Sequence, residues 1–128
     1  MKILGIGVDI IENKRLRKLI LNKNFVNRIF TNKEINRSKK IRDKTNYFAK
    51  RFAAKESLVK ALGTGFRDRL NFKDIEILND KKGKPFYSKN AKINNIINSK
   101  FKEKKYNIFL SISDENKYSI AYTILQKK

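Results

Sequence analysis

The sequence contains no cysteine and no histidine. Without cysteine there is no disulfide framework, no thiolate zinc site and no cysteine nucleophile. Without histidine the commonest general base and the commonest metal ligand are missing too. A Ser-His-Asp hydrolase and a zinc metalloprotease are excluded. Acidic residues are scarce: 12 Asp and Glu against 32 Lys and Arg leave a formal net charge of +20 at pH 7. No apolar run approaches the roughly 20 residues of a membrane span, and the N-terminus has no signal-peptide hydrophobic region. The chain is therefore expected to be soluble and intracellular, with no membrane association. Its chemistry is left to carboxylates, lysines, arginines, hydroxyls or a bound hard metal.

What is present fits one folded domain spanning 1–128. Forty per cent hydrophobic residues, with nine Phe and five Tyr, argue against a disordered polycation. A basic coat attracts polyanions, whether nucleic acid, an acidic protein or a phosphorylated small molecule. The excess is lysine, 24 against 8 Arg, and it is scattered along the chain. With heavy use of Asn and Ile it suggests an AT-rich coding bias that loads lysine onto solvated faces. A non-enzymatic nucleic-acid-binding module is the alternative reading. Such a module would interleave its basic residues with exposed aromatics and give its carboxylates no role.

Along the chain, Met1–Ile11 is apolar and β-branched and reads as a buried strand, interrupted by Asp9. Arg15 to Ile29 has an approximate helical spacing. Thr31 and Glu34 have capping-box spacing, so a helix starts there and frays through Ser38–Asp43. Tyr47–Leu62 is the longest helix, with Gly63 at its left-handed stop. Phe72–Leu78 alternates as a strand, residues 80–85 form a turn, and Phe86-Tyr87 is a short strand. Asn90–Phe101 is a further helix, and Ile108–Ser113 with Tyr118–Leu125 is a closing hairpin. Segregated strands and helices favour an α+β fold, a small mostly antiparallel sheet against a long central helix, over a doubly wound parallel sheet.

On a helical wheel Phe48, Phe52, Leu58, Val59 and Leu62 form a core stripe. Lys55 projects into the middle of it. Glu56 lies at its edge, beside the small residues Ala49 and Ala53, with Lys60 one turn on. Lys55 can snorkel out of a core, and Glu56 with Lys60 can be an ordinary i,i+4 pair. Asp9 has three readings: a helix cap, a salt bridge, or a ligand converging with Glu56 on a divalent ion. Two carboxylates completed by substrate phosphates and waters are a usual way to hold Mg²⁺. Arg51, Lys55 and Lys60 would then complement phosphate oxygens. Gly63-Thr64-Gly65 serves either as a helix stop or as backbone that lets a phosphate or pantetheine-like chain approach. Gly5-x-Gly7 is no dinucleotide fingerprint, because its glycines lie inside the strand, and no P-loop pattern occurs.

Gly5-Ile-Gly-Val-Asp9-Ile-Ile-Glu12, Arg51-Phe-Ala-Ala-Lys55-Glu56-Ser-Leu-Val-Lys60-Ala-Leu-Gly63-Thr64-Gly65 and Gly83-Lys-Pro85 resemble the holo-[acyl-carrier-protein] synthase family of 4′-phosphopantetheinyl transferases. The closing Ser111-Ile-Ser113 and Tyr118-Ser-Ile-Ala121 also look like that family's last hairpin. The resemblance runs through essentially the whole chain. It implies the family's α+β fold and a Mg²⁺-dependent transfer, with Mn²⁺ as the other candidate ion. The phosphopantetheine arm of coenzyme A would pass to a serine of apo acyl carrier protein, releasing adenosine 3′,5′-bisphosphate. Carried over by motif, Asp9 and Glu56 are metal ligands. Glu56 or a metal-bound water is the base, and Lys60 binds the pyrophosphate. Arg51, Gly63, Thr64, Gly65 and Pro85 fall where the family holds coenzyme A. Arg15 matches a position contacting the carrier protein. The acidic carrier suits a basic first helix, with Arg28 on the same stretch, and Leu19 either joins the core or meets the partner. The resemblance also implies a homotrimer with active sites between subunits. Its expected place is the cytoplasm, or an organelle of endosymbiotic origin if a transit segment was removed, and no specific nucleic acid is expected as partner. One departure stands out: Asp114 occupies the place where some members carry a histidine.

Overall fold

A computed structural model describes residues 1–65 and 70–128. In chain order the elements are strand β1 (Lys2–Glu12), helices α1 (Asn13–Leu19), α2 (Lys23–Ile29), α3 (Asn32–Ser38) and α4 (Lys44–Leu62), strands β2 (Ile77–Asn79) and β3 (Pro85–Tyr87), helix α5 (Ala91–Phe101), and strands β4 (Tyr106–Asp114) and β5 (Tyr118–Lys127). The architecture is the expected α+β one. An antiparallel sheet in the order β1-β5-β4 lies against α4, and β2 and β3 form a separate two-stranded hairpin.

Gly5 and Gly7 set the distance between β1 and α4. A Cβ on either would overlap a backbone carbonyl of the helix, Ala61 O for Gly5 and Ser57 O for Gly7. Their function is close helix–strand approach rather than nucleotide binding. Because side chains alternate along a strand, Gly7, Asp9 and Ile11 share the helix-facing side while Ile6, Val8 and Ile10 point away from it. The expectation of a buried strand therefore fails on one face: Ile6, Val8 and Ile10 are 50–58% exposed. Register places Ile6 beside Ile124, which pairs on its other side with Phe109, and Val8 beside Tyr122, so the apolar outer face continues across the sheet.

Helix α4 differs from a single-stripe helix. It is buried on several sides, with Ala49, Ala53, Ala54, Ser57 and Ala61 as well as Phe48, Leu58, Val59 and Leu62 out of solvent. Small residues meet the sheet, and large ones meet the helical layer. Asp43 caps it through Asn46 N, so it starts three residues before the predicted Tyr47. Gly63 ends it in the left-handed region at φ +73°.

The Thr31–Glu34 capping box is present. The stretch Arg15 to Ile29 splits into α1 and α2, because the Asn22 side chain accepts from Asn24 N and Phe25 N and starts a new helix. Of the predicted Phe72–Leu78 strand, Phe72–Asp74 is a single 3₁₀ turn closed by Asn71 and Asp74. Buried Asn13 donates to Glu115 O and Asn116 O and accepts from Ser119 Oγ, pinning the β4–β5 turn beside the end of β1.

Candidate active site

Asp9 leaves β1 on the side facing α4, and Lys60 reaches it from the helix. The Lys60 Nζ lies 3.1 Å from Asp9 Oδ1 and 3.0 Å from Val8 O. Glu56, one turn earlier on α4, is half-buried beside them. Burial raises its carboxyl above the ordinary glutamate range, the Asp9 charge pushes it further, and Lys60 pulls it partly back. The salt-bridge reading of Asp9 is thus realised, and Glu56 lies close enough to feel the Asp9 charge. Two like charges held together against one lysine, at the edge of solvent, suit a hard cation. The bond from the Lys60 ammonium shows where positive charge is favoured. Oxygen-only donors, two carboxylates at a solvent-accessible edge, fit Mg²⁺.

Three predicted positions continue from this group along the end of α4. Gly63 and Gly65 both have positive φ, and the Thr64 hydroxyl donates to Gly65 O. Pro85 opens β3, paired with Asn79.

Lys55 requires a correction. It lies inside the chain rather than on an open surface: its side chain has no exposure, and its Nζ donates to Glu34 Oε1, Ile29 O, Phe72 O and Ile75 O. Burial lowers its pKa and Glu34 pulls it back up. Four acceptors satisfy the ammonium and then some, so it ties segments together instead of snorkelling. Arg51 is also buried, 4% exposed, with its guanidinium 3.8 Å from the Tyr47 ring and donating to Asn79 Oδ1 at 2.6 Å. It points into the β2–β3 hairpin.

Arg15 and Leu19 on α1 and Arg28 on α2 are solvent-exposed, outside the Asp9–Glu56–Lys60 group. Leu19 is 41% exposed, so it is no core residue of this chain. Asp114 accepts from Asn46 Nδ2 at 2.7 Å. Sequence reasoning missed Asn79, Glu34 and Lys100, whose Nζ lies over Gly63. Only Glu34 carried a local signal, its capping-box spacing, and that signal gave no hint of a buried ion pair.

The family model for the 4′-phosphopantetheinyl transferase superfamily matches residues 5–123. The chain belongs to this superfamily, among its holo-[acyl-carrier-protein] synthases. A holo-[acyl-carrier-protein] synthase of Pelagibacter ubique (strain HTCC1062) is 58% identical over 128 residues, covering 100% of each chain. Among solved structures, a holo-[acyl-carrier-protein] synthase from Neisseria meningitidis superposes with a TM-score of 0.87 at 34% identity, covering 98% of this chain and 100% of that one. The holo-(acyl-carrier-protein) synthase of Bacillus anthracis str. Ames, in complex with CoA (3′,5′-ADP), gives a TM-score of 0.81 at 35% identity and 98% coverage of both. Membership makes the chain an enzyme of the phosphopantetheinyl transferase type and removes the nucleic-acid-binding module as its reading. Among the described residues no helix is long and apolar enough to cross a membrane.

Proposed function

We propose that this chain, acting as a single domain over 1–128, transfers the 4′-phosphopantetheine group from coenzyme A to a serine of apo acyl carrier protein. The observation that carries the reading is the meeting of Asp9, Glu56 and Lys60 between β1 and α4 in a member of this family. The serine oxygen attacks the phosphorus attached to the pantetheine arm. A new P–O bond forms, the pyrophosphate bridge breaks, and adenosine 3′,5′-bisphosphate leaves with the bridging oxygen. Glu56, or a water beside it, takes the serine proton. Lys60 exchanges its bond to Asp9 for the pyrophosphate oxygens, where charge builds as the bridge breaks. Asp9 and Glu56 would hold Mg²⁺, or Mn²⁺, which supplies neutralisation of the pyrophosphate charge. Gly63, Thr64, Gly65 and Pro85 line the coenzyme A path.

The partner is the acidic carrier protein, met by Arg15 and Leu19 on α1 and Arg28 on α2, with the chain's +20 charge speeding encounter. The assembly is a homotrimer with active sites between subunits, built on the outer face of the sheet. On a chain carrying 32 basic residues, Ile6, Val8, Ile10, Phe109, Ile120 and Tyr122 expose 39–58% of their surface with no lysine among them. A contiguous apolar face of this kind is an association surface, and copies of a strongly positive chain approach one another best there. The enzyme works in the cytoplasm.

The test is the intact mass of an apo acyl carrier protein incubated with this chain and coenzyme A, with Mg²⁺ or with EDTA. The expected result is a gain of one phosphopantetheine arm on a serine, with metal only. No gain on any of several apo carriers would sink the proposal.

A further inference from the structure

We infer that Asn79 is a positioning residue that fixes the coenzyme A-binding turn relative to the catalytic helix, with Arg51 acting through it. The inference rests on the reading above, since Pro85 enters it as part of the coenzyme A path. The β2–β3 hairpin has only three residue pairs, and a two-stranded hairpin of that size is marginal without outside support. Support comes at both ends from α4. At one end the Tyr87 hydroxyl donates to Ala54 O at 2.7 Å, and burial pushes its pKa up to about 12, so it remains a donor. At the other end the Asn79 side chain does two things at once. Its Oδ1 accepts from the Arg51 guanidinium at 2.6 Å, and its Nδ2 donates to Gly83 O at 2.9 Å.

Asn79 therefore bridges a helix and a turn. Arg51 stands five positions before Glu56 on α4, and Gly83 stands two before Pro85. The turn itself is ordered by Asp80, whose carboxylate accepts from Lys82 N and Lys84 N. Gly83 adopts φ +85°. Those bonds shape the turn without placing it. Among the described residues, Asn79 is what connects its Gly83 carbonyl to α4. Arg51, 4% exposed and stacked on Tyr47, is held as an anchor rather than as a free phosphate ligand.

The experiment compares wild type, Asn79→Ala, Asn79→Asp, Arg51→Gln and the Arg51→Gln/Asn79→Ala double variant. Coenzyme A binding is measured by calorimetry, steady-state kinetics against an apo carrier protein, and melting temperature. Asn79→Asp keeps an acceptor for Arg51 but sets a carboxylate against the Gly83 carbonyl, so it separates anchoring from turn placement. Both Asn79 variants are expected to raise KM for coenzyme A roughly fivefold, the scale of one lost hydrogen bond, with kcat within about twofold of wild type. Asn79→Asp is expected to keep the wild-type melting temperature, and Arg51→Gln to add little to Asn79→Ala in KM. Unchanged KM in both Asn79 variants, or full additivity of Arg51→Gln with Asn79→Ala, overturns the inference. A wild-type chain that does not bind coenzyme A overturns the underlying reading instead.

Discussion

Lys55 and Glu34 meet at 2.8 Å with neither side chain exposed to solvent. Glu34 also closes the α3 capping box through Thr31 N and accepts from Ile77 N, so one carboxylate joins α3, α4 and β2. Replacing Lys55 with Met leaves that carboxylate buried without its counter-charge. The expected cost is roughly 3–5 kcal/mol in urea denaturation, with part recovered in the Lys55→Met/Glu34→Gln pair. A loss under about 1 kcal/mol for the single variant would show that the ion pair is dispensable.

Gly7→Ala should act through distance rather than chemistry. The added methyl meets the Ser57 carbonyl on the backbone of α4, which has no side chain to swing away. Prising α4 from β1 is expected to cost roughly 1–3 kcal/mol and to move Asp9 away from Lys60. Stability equal to wild type would mean that the close contact between strand and helix is relaxed at no cost.

The outer face of the sheet makes a prediction about assembly. Val8, 50% exposed beside Tyr122, becomes a buried charge in a trimer when replaced by Lys. Sedimentation should find the wild type as a trimer and Val8→Lys as folded single chains. A wild type that sediments as a single chain, or a trimeric Val8→Lys, contradicts the proposed interface.

Glu56 links the site to pH. Its folded pKa is raised, so the protonated form is favoured on folding. Stability from this group is complete below the ordinary glutamate value and is lost as pH rises through the elevated one. Without divalent ions, Glu56→Gln should therefore melt slightly higher than wild type at pH 8, by roughly 1–3 °C, because Lys60 and solvent offset much of the strain. The gap should close at acid pH. A glutamine variant that melts lower at pH 8 would show that Glu56 is not strained in its ionised form.

Local signals in the sequence suffice where one segment decides the outcome: the Thr31–Glu34 cap, the left-handed Gly63, the β4–β5 hairpin. Asp9 and Glu56 were legible as a pair because a carboxylate is anomalous both in an apolar strand and at the edge of a core stripe. Lys55 was anomalous in the same way, and its explanation lay in acceptors 17 to 26 residues away, which no spacing reveals. The fate of the outer β1 residues was hidden for a related reason. An Ile-rich strand looks the same whether its second face meets its own chain or another. Asn79 gave no signal, because its two bonds exist only once the hairpin is folded against α4.

The central claim is that Asp9, Glu56 and Lys60 carry out the transfer, and the most direct measurement is carrier-protein modification by Glu56→Ala. Its rate is read by intact mass with coenzyme A and Mg²⁺, beside a wild type of matched secondary structure and assembly. Losing base and ligand together is expected to lower the rate by a factor on the order of 10³ or more. A folded Glu56→Ala that modifies the carrier within tenfold of the wild-type rate would place the chemistry elsewhere in the molecule.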